Sequence, residues 1–214
     1  MLRRALLLSL AFTPIMAKAW ADDPCCGPIT PAGQRLITLF DSMDVEHHWL
    51  NHQHVNWETG VSDRGPDYVG HDMATHCSAF AAAVGKNLNV YMLRPPEHPM
   101  QLLASAQTAW FNSDAARAAG WNEISGWQAA QSLANQGQLV VISYASPNPH
   151  KPGHIVVVRP SLKTAAQLAL EGPDVIQAAT RNKADWPAAQ SFTVHPGAWP
   201  NGVRIFAHDV PPVA

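Results

Sequence analysis

The run Ile155-Val156-Val157-Val158 constrains the fold of this chain more than any other stretch. Four β-branched residues in a row predict a rigid strand, the most apolar in the sequence. It stands in a series: LVVISYA (139–145), HIVVVRP (154–160), DVIQAA (174–179), QSFTVH (190–195) and VRIFAHD (203–209). Loops bearing proline and glycine divide them, notably SPNPHKPG at 146–153. The chain before residue 138 reads differently. Thr30–Pro31 is a helix entry, with Leu36, Leu39, Phe40 and Met43 recurring at helical spacing. Residues 51–74 are irregular, holding Gly60, Gly65, Pro66 and Gly70 among aromatics. THCSAFAAAVGK (75–86) restarts helix, with Thr75 the expected cap and Cys77 its first residue. Further helices are predicted from Pro99 to Phe111 and from Glu123 to Ala134, the last stopped by Asn135–Gln136–Gly137. Helices first and strands later predict an α+β fold, with N-terminal helices packed on an antiparallel β-sheet.

The first 21 residues have the layout of a secretory signal peptide. Arg3 and Arg4 precede an apolar run to Phe12, and small residues follow at Ala19 and Ala21. Pro14 interrupts the run and it is too short for a membrane span. The expected organisation is therefore a signal peptide at 1–21 and one domain at 22–214 with an N-terminal helical extension. Cleavage would remove three bases and no acid, leaving 11 bases against 16 acids, a formal charge of −5. That balance offers no electrostatic footprint for nucleic acid or an anionic membrane. The expected location is periplasmic or secreted.

Three cysteines are too few for a disulfide scaffold in 214 residues. Cys25 and Cys26 are adjacent, and a bridge between neighbours is strained, so they are expected to pair elsewhere or stay reduced. Cys77 is the residue with chemical promise. A helix N-terminus and a nearby imidazole are the usual means of lowering a thiol pKa. His154 opens the rigid strand, which would fix its ring at the sheet's end. An imidazole acting as base needs a partner on its other nitrogen. Gln177 in VIQAA can supply an amide oxygen, with Asn182 in RNKAD as the rival.

At these residues the sequence resembles the NlpC/P60 superfamily, papain-like cysteine peptidases of bacterial cell walls. The matching positions are Cys77 in HCSAF, Gly153–His154 in GHIVVV and Gln177 in VIQAA; VNWETG, with Trp57 and Gly60, resembles the aromatic-plus-glycine segment before the cysteine. The resemblance covers roughly residues 55–180. It implies a papain-like fold, Cys77 as nucleophile, His154 as base, and Gln177 as the residue that orients the ring. It also implies a substrate amide bond in peptidoglycan stem peptides or a similar peptide, with no cofactor and no metal. Trp57, Gly60, Tyr68 and His76 are the expected substrate-binding residues. The chain differs from the family in having His76 where Asp commonly precedes the cysteine, and Gln136–Gly137–Gln138 where a Pro-Gly-Asp turn is common.

Two other readings compete. EHHWLNHQH places His47, His48, His52 and His54 within eight residues, and on a helix His48 and His52 would share a face suited to zinc. The carboxylate of a metalloprotease motif is missing there, since Trp49 and Leu50 follow His48. The other is an exported binding protein on a peptidase-like fold without the activity. No phosphate loop, dinucleotide fingerprint or Gly-x-Ser-x-Gly elbow is present.

Overall fold

A computed structural model of the chain describes residues 23–65 and 75–212. The expected signal peptide and Tyr68 lie outside the described residues. In chain order the elements are α1 (Pro31–Ser42), α2 (Cys77–Asn87), α3 (Leu103–Phe111), α4 (Asp114–Ala118), β1 (Asn122–Ile124), α5 (Trp127–Asn135) and β2 (Leu139–Tyr144). There follow β3 (His154–Val158), α6 (Ala165–Glu171), β4 (Asp174–Gln177), β5 (Lys183–Pro187), α7 (Ala188–Ser191) and β6 (Arg204–His208). The six strands form one open antiparallel sheet in the order β1-β6-β2-β3-β4-β5. The fold is α+β. Among the described residues no helix is long and apolar enough to cross a membrane.

β2 and β3 are central and buried along their whole length, which explains their unbroken apolar runs. Alternation along them builds two cores. Val141, Ile155 and Val157 pack with α2 and with Phe111, Trp121 and Phe206. Val140, Ile142, Val156 and Val158 pack with Ala130 and Ala134 of α5 and with Phe192 and Ala198. Each fully buried Val or Ile contributes about 1.5–3 kcal/mol by leaving water, so the sheet's centre carries a large share of the fold's apolar stabilisation.

Several expectations give way here. QSFTVH at 190–195 is no strand: α7 and a turn occupy it, because Pro187 and Ala188–Ala189 start a helical turn and Pro196 follows. The fifth segment of the sheet is β5 instead, a polar edge strand that tolerates Pro187. Glu123 belongs to β1, and the helix after it starts only at Trp127, following Gly126 at φ 88°. α3 starts at Leu103, past the turns at 99–102. α6 was not expected. Thr164 caps it in a capping box with Gln167, a spacing present in the sequence.

Cys25 and Cys26 are bridged to each other, contrary to the expectation that they pair elsewhere or stay reduced. The segment is pinned by the Cys25 N–H donating to the Lys163 carbonyl at 3.1 Å and by a bridge from Pro24 to Thr164. Cys77 is left as the free cysteine.

The loop before α2 closes on Trp49, which is 2% exposed. Its backbone N–H donates to the Gly60 carbonyl at 2.8 Å, and its indole N–H donates to the Trp57 carbonyl at 3.0 Å. Gly60 has φ 70°, and a Cβ there would stand 2.2 Å from the Trp49 ring. Gly60→Ala therefore meets both left-handed backbone and a buried indole. It is expected to lower unfolding free energy by about 2–4 kcal/mol, read by urea denaturation.

Candidate active site

Cys77 opens α2, where residues 77–85 are all buried and mostly small. Small side chains let this helix lie close over β3. His76 holds the N-cap position without a side-chain capping bond. Thr75, the expected cap, is instead a hydrogen-bond partner of the Cys77 thiol, as are the backbone N–H groups of Ile155 and Ser78. The thiol therefore lies against the first residues of β3, next in sequence to His154. It is 4% exposed. Burial pushes its pKa above the ordinary value, and the hydrogen bonds pull it back only in part. The helix terminus and the imidazole do not produce the lowered pKa expected from sequence.

That difference is measurable. With its pKa raised, Cys77 holds less thiolate at pH 7–8 than a free peptide thiol, so iodoacetamide should label it more slowly there. The rate should climb as pH rises toward the raised pKa, read for the Cys77 peptide by mass spectrometry. Fast labelling below pH 8 would mean that burial does not govern the thiol.

His154 begins β3 because Gly153 permits a close approach. A Cβ at Gly153 would lie 2.1 Å from the Tyr144 carbonyl oxygen. The Gly153 N–H donates to Ser105 Oγ at 3.0 Å, and the Ser146 N–H donates to the same oxygen at 3.4 Å. One hydroxyl thus ties both ends of the 146–153 loop to α3. The register sets His154 opposite Tyr144, and the imidazole is 2% exposed.

Gln177 is the ring's partner. His154 Nε2 and Gln177 Oε1 are 3.1 Å apart, and Gln177 Nε2 donates to the Arg181 carbonyl at 2.9 Å. The second bond fixes which end of the amide faces the ring, so Nε2 carries the hydrogen and Nδ1 carries the lone pair. Asn182 has another occupation. Its Oδ1 accepts from the Ala179 N–H at 2.9 Å, and its Nδ2 donates to the carbonyls of Val45, His48 and Trp49 at 2.7, 2.8 and 3.2 Å. Asn182 ties the β4–β5 turn to the 45–49 segment and does not touch His154.

The His154 ring stacks on His195, with centroids 4.9 Å apart and planes inclined by 13°. Phe192 meets it edge-on at 5.1 Å. Burial first, then the neighbouring His195, lowers the His154 pKa to about 3, while the Gln177 bond acts the other way. Burial also lowers His195. At neutral pH the site therefore holds a neutral thiol and a neutral imidazole rather than an ion pair. Cys77 packs with Ile155 and Val157, whereas the His154 ring packs with Phe192 and His195. No hydrogen bond joins the two among the described residues.

A cleft of about 470 Å³ opens over this end of the sheet. Thr75, Gly153, His154, Gln177, Arg181, Trp186 and His195 are among its walls, and Cys77 is not. Trp57, Gly60 and His76 do not line it either. Trp57 lies beneath the Lys86 ammonium, 5.6 Å from the ring centroid, Gly60 packs on Trp49, and buried His76 bonds through Nε2 to the Gln53 carbonyl at 2.9 Å. Phe192 and His195 are the neighbours of His154 that sequence reasoning missed, and Thr75 was expected only as a helix cap. His195 was hidden because 190–195 alternates like a strand, and only the Pro196–Gly197 after it signals the turn.

The histidine-rich segment is not helical, and its rings disperse. His47 Nδ1 meets Asp44 at 2.7 Å, His48 Nδ1 meets the Met43 carbonyl at 3.2 Å, and His54 meets Asp63. Among the described residues no three His, Cys, Asp or Glu side chains converge as a metal site. No protein-family model and no curated protein matches the chain.

Proposed function

We propose that this chain is an exported cysteine hydrolase of the NlpC/P60 type, papain-like in its site, that cleaves amide bonds in peptidoglycan stem peptides. The observation that carries this reading is the His154–Gln177 bond at the start of β3, the strand whose next residue, Ile155, shares a core with the free thiol that opens α2. The cleft bordered by Thr75 supports it, since Thr75 stands two residues before Cys77.

The chemistry follows from two neutral groups. As the Cys77 sulfur attacks the substrate carbonyl carbon, His154 Nδ1 takes the thiol proton. Gln177 Oε1 accepts from Nε2–H and steadies the imidazolium while it exists. Backbone N–H groups in the first turn of α2 donate to the oxyanion. The imidazolium then gives its proton to the leaving amine, the C–N bond breaks, and water hydrolyses the thioester. No step requires a stored thiolate, so a raised thiol pKa is compatible with turnover. Substrate entering the cleft must reach the sulfur past Thr75.

The test is release of new amino groups from purified peptidoglycan with EDTA present. Turnover under those conditions supports the reading. Loss with EDTA and rescue by zinc would instead favour the 47–54 histidines. A second reading has its own support, because Cys77 is buried and absent from the cleft walls. An exported binding protein would retain peptidoglycan in a pull-down and release no amine from it.

A further inference from the structure

His154 is not the only imidazole in the cleft. His195 lies face to face with it and is half-buried, one flank on the base and the other on the cleft. Its backbone is held in consecutive turns: the His195 N–H donates to the Phe192 carbonyl at 3.0 Å and the Ala198 N–H donates to the His195 carbonyl at 3.0 Å. The Tyr144 hydroxyl donates to the Pro196 carbonyl at 3.2 Å, which moors the turn to β2 opposite His154. A ring brought this close, and anchored through the residue that pairs with the base, is built into the site.

We propose that His195 is a positioning residue for the base: its ring covers the outer face of the His154 imidazole and holds its plane, and its own protonation shuts the base off. The proposal rests on the reading of His154 as a general base. The titratable groups whose rings meet His195 are His154 on β3 and Tyr144 on β2, and Arg181 is the charged group that lines the same cleft. No carboxylate lines the cleft among the described residues to neutralise a second positive charge. During turnover the Cys77 proton creates an imidazolium at His154. A neutral His195 tolerates that charge against its ring, whereas a protonated His195 repels it. His195 is the more accessible of the two, so it takes the first proton as pH falls.

The experiment compares wild type, His195→Phe and His195→Ala. Phenylalanine keeps a flat ring and cannot be charged, while alanine removes the ring. His195→Phe should keep kcat within about threefold and move the acid limb of the kcat/KM profile to lower pH by about one unit or more. His195→Ala should lower kcat about tenfold with KM within about twofold, since substrate contacts remain and the base loses its alignment. An unmoved acid limb in His195→Phe, or an unchanged kcat in His195→Ala, overturns the proposal. A second readout does not need turnover. In ¹⁵N spectra of the histidine rings, the His154 midpoint should rise in His195→Phe, because the repelling charge is gone. If wild type releases no amine from peptidoglycan but that midpoint rises, the hydrolase reading fails and the coupling of the two rings stands. An unmoved midpoint sinks the coupling whether or not the chain is an enzyme. Wild-type-like far-UV circular dichroism in His195→Phe is the control for folding.

Discussion

Cys77→Ala is expected to reduce amide hydrolysis by about 10³-fold or more while the protein stays folded. In the proposed mechanism the sulfur forms the new bond to the substrate carbon, and alanine leaves no nucleophile in its place. The stability change should be small. Alanine differs from cysteine by one buried sulfur, and Ala81, one turn along the same helix face, is already a buried methyl group. His154→Ala should lower turnover to a similar degree, because it removes the ring that bonds Gln177 and that takes the thiol proton in the proposed mechanism. The double variant should be little worse than either single one, since the two groups act in one step. Amine release is the assay, with thermal unfolding alongside. A Cys77→Ala protein that still cleaves peptidoglycan at the wild-type rate would end the cysteine hydrolase reading outright.

The second large contrast lies between two amides five residues apart. Gln177→Ala should leave the fold intact and lower kcat by about 10–100-fold. It removes one hydrogen bond to the ring and one to the Arg181 carbonyl, and neutral bonds of this kind contribute about 0.5–1.5 kcal/mol each to stability. Turnover suffers more because the ring loses the acceptor that sets its hydrogen on Nε2. Asn182→Ala should behave in the opposite way. It strips three carbonyls of the 45–49 segment and the Ala179 N–H of a shared partner, and should cost about 1–3 kcal/mol of stability. Its kcat should stay near wild type at temperatures where it remains folded. Urea unfolding and initial rates separate the two. A crippled but stable Asn182→Ala, beside an unaffected Gln177→Ala, would reverse these roles.

Much of the architecture was legible because it is written in local rules. Thr30–Pro31 starts α1 with the Thr30 hydroxyl accepting from the Gly33 N–H, and the valines of 154–158 form the centre of the sheet. Gln136–Gly137 ends α5 through a left-handed glycine at φ 95°. The misread parts depend on tertiary context. KADWP lacks strand composition and pairs only because β4 offers an edge. QSFTVH has strand alternation, yet Phe192 faces a core that closes over the sheet instead of extending it. For the site, the residue types were readable and the electrostatics were not. Whether a helix start lowers a thiol pKa depends on how much water remains around it, and the packing of α2 on β3 removes nearly all of it. The choice between Gln177 and Asn182 was open for the same reason, since both follow β3 at plausible spacing. Only the position of the 45–49 carbonyls assigns one of them elsewhere.

The bridge between Cys25 and Cys26 turns the chain into its own stoichiometric standard. With those two sulfurs bound to each other, a denatured, unreduced sample has one thiol to report, and that thiol is Cys77. A colorimetric thiol count of one per chain therefore certifies the sample before any rate is measured. A count of three signals a reduced preparation, in which labelling of Cys25 and Cys26 would contaminate any bulk signal ascribed to Cys77. A count of zero signals that Cys77 has been oxidised or blocked, and such a sample says nothing about catalysis.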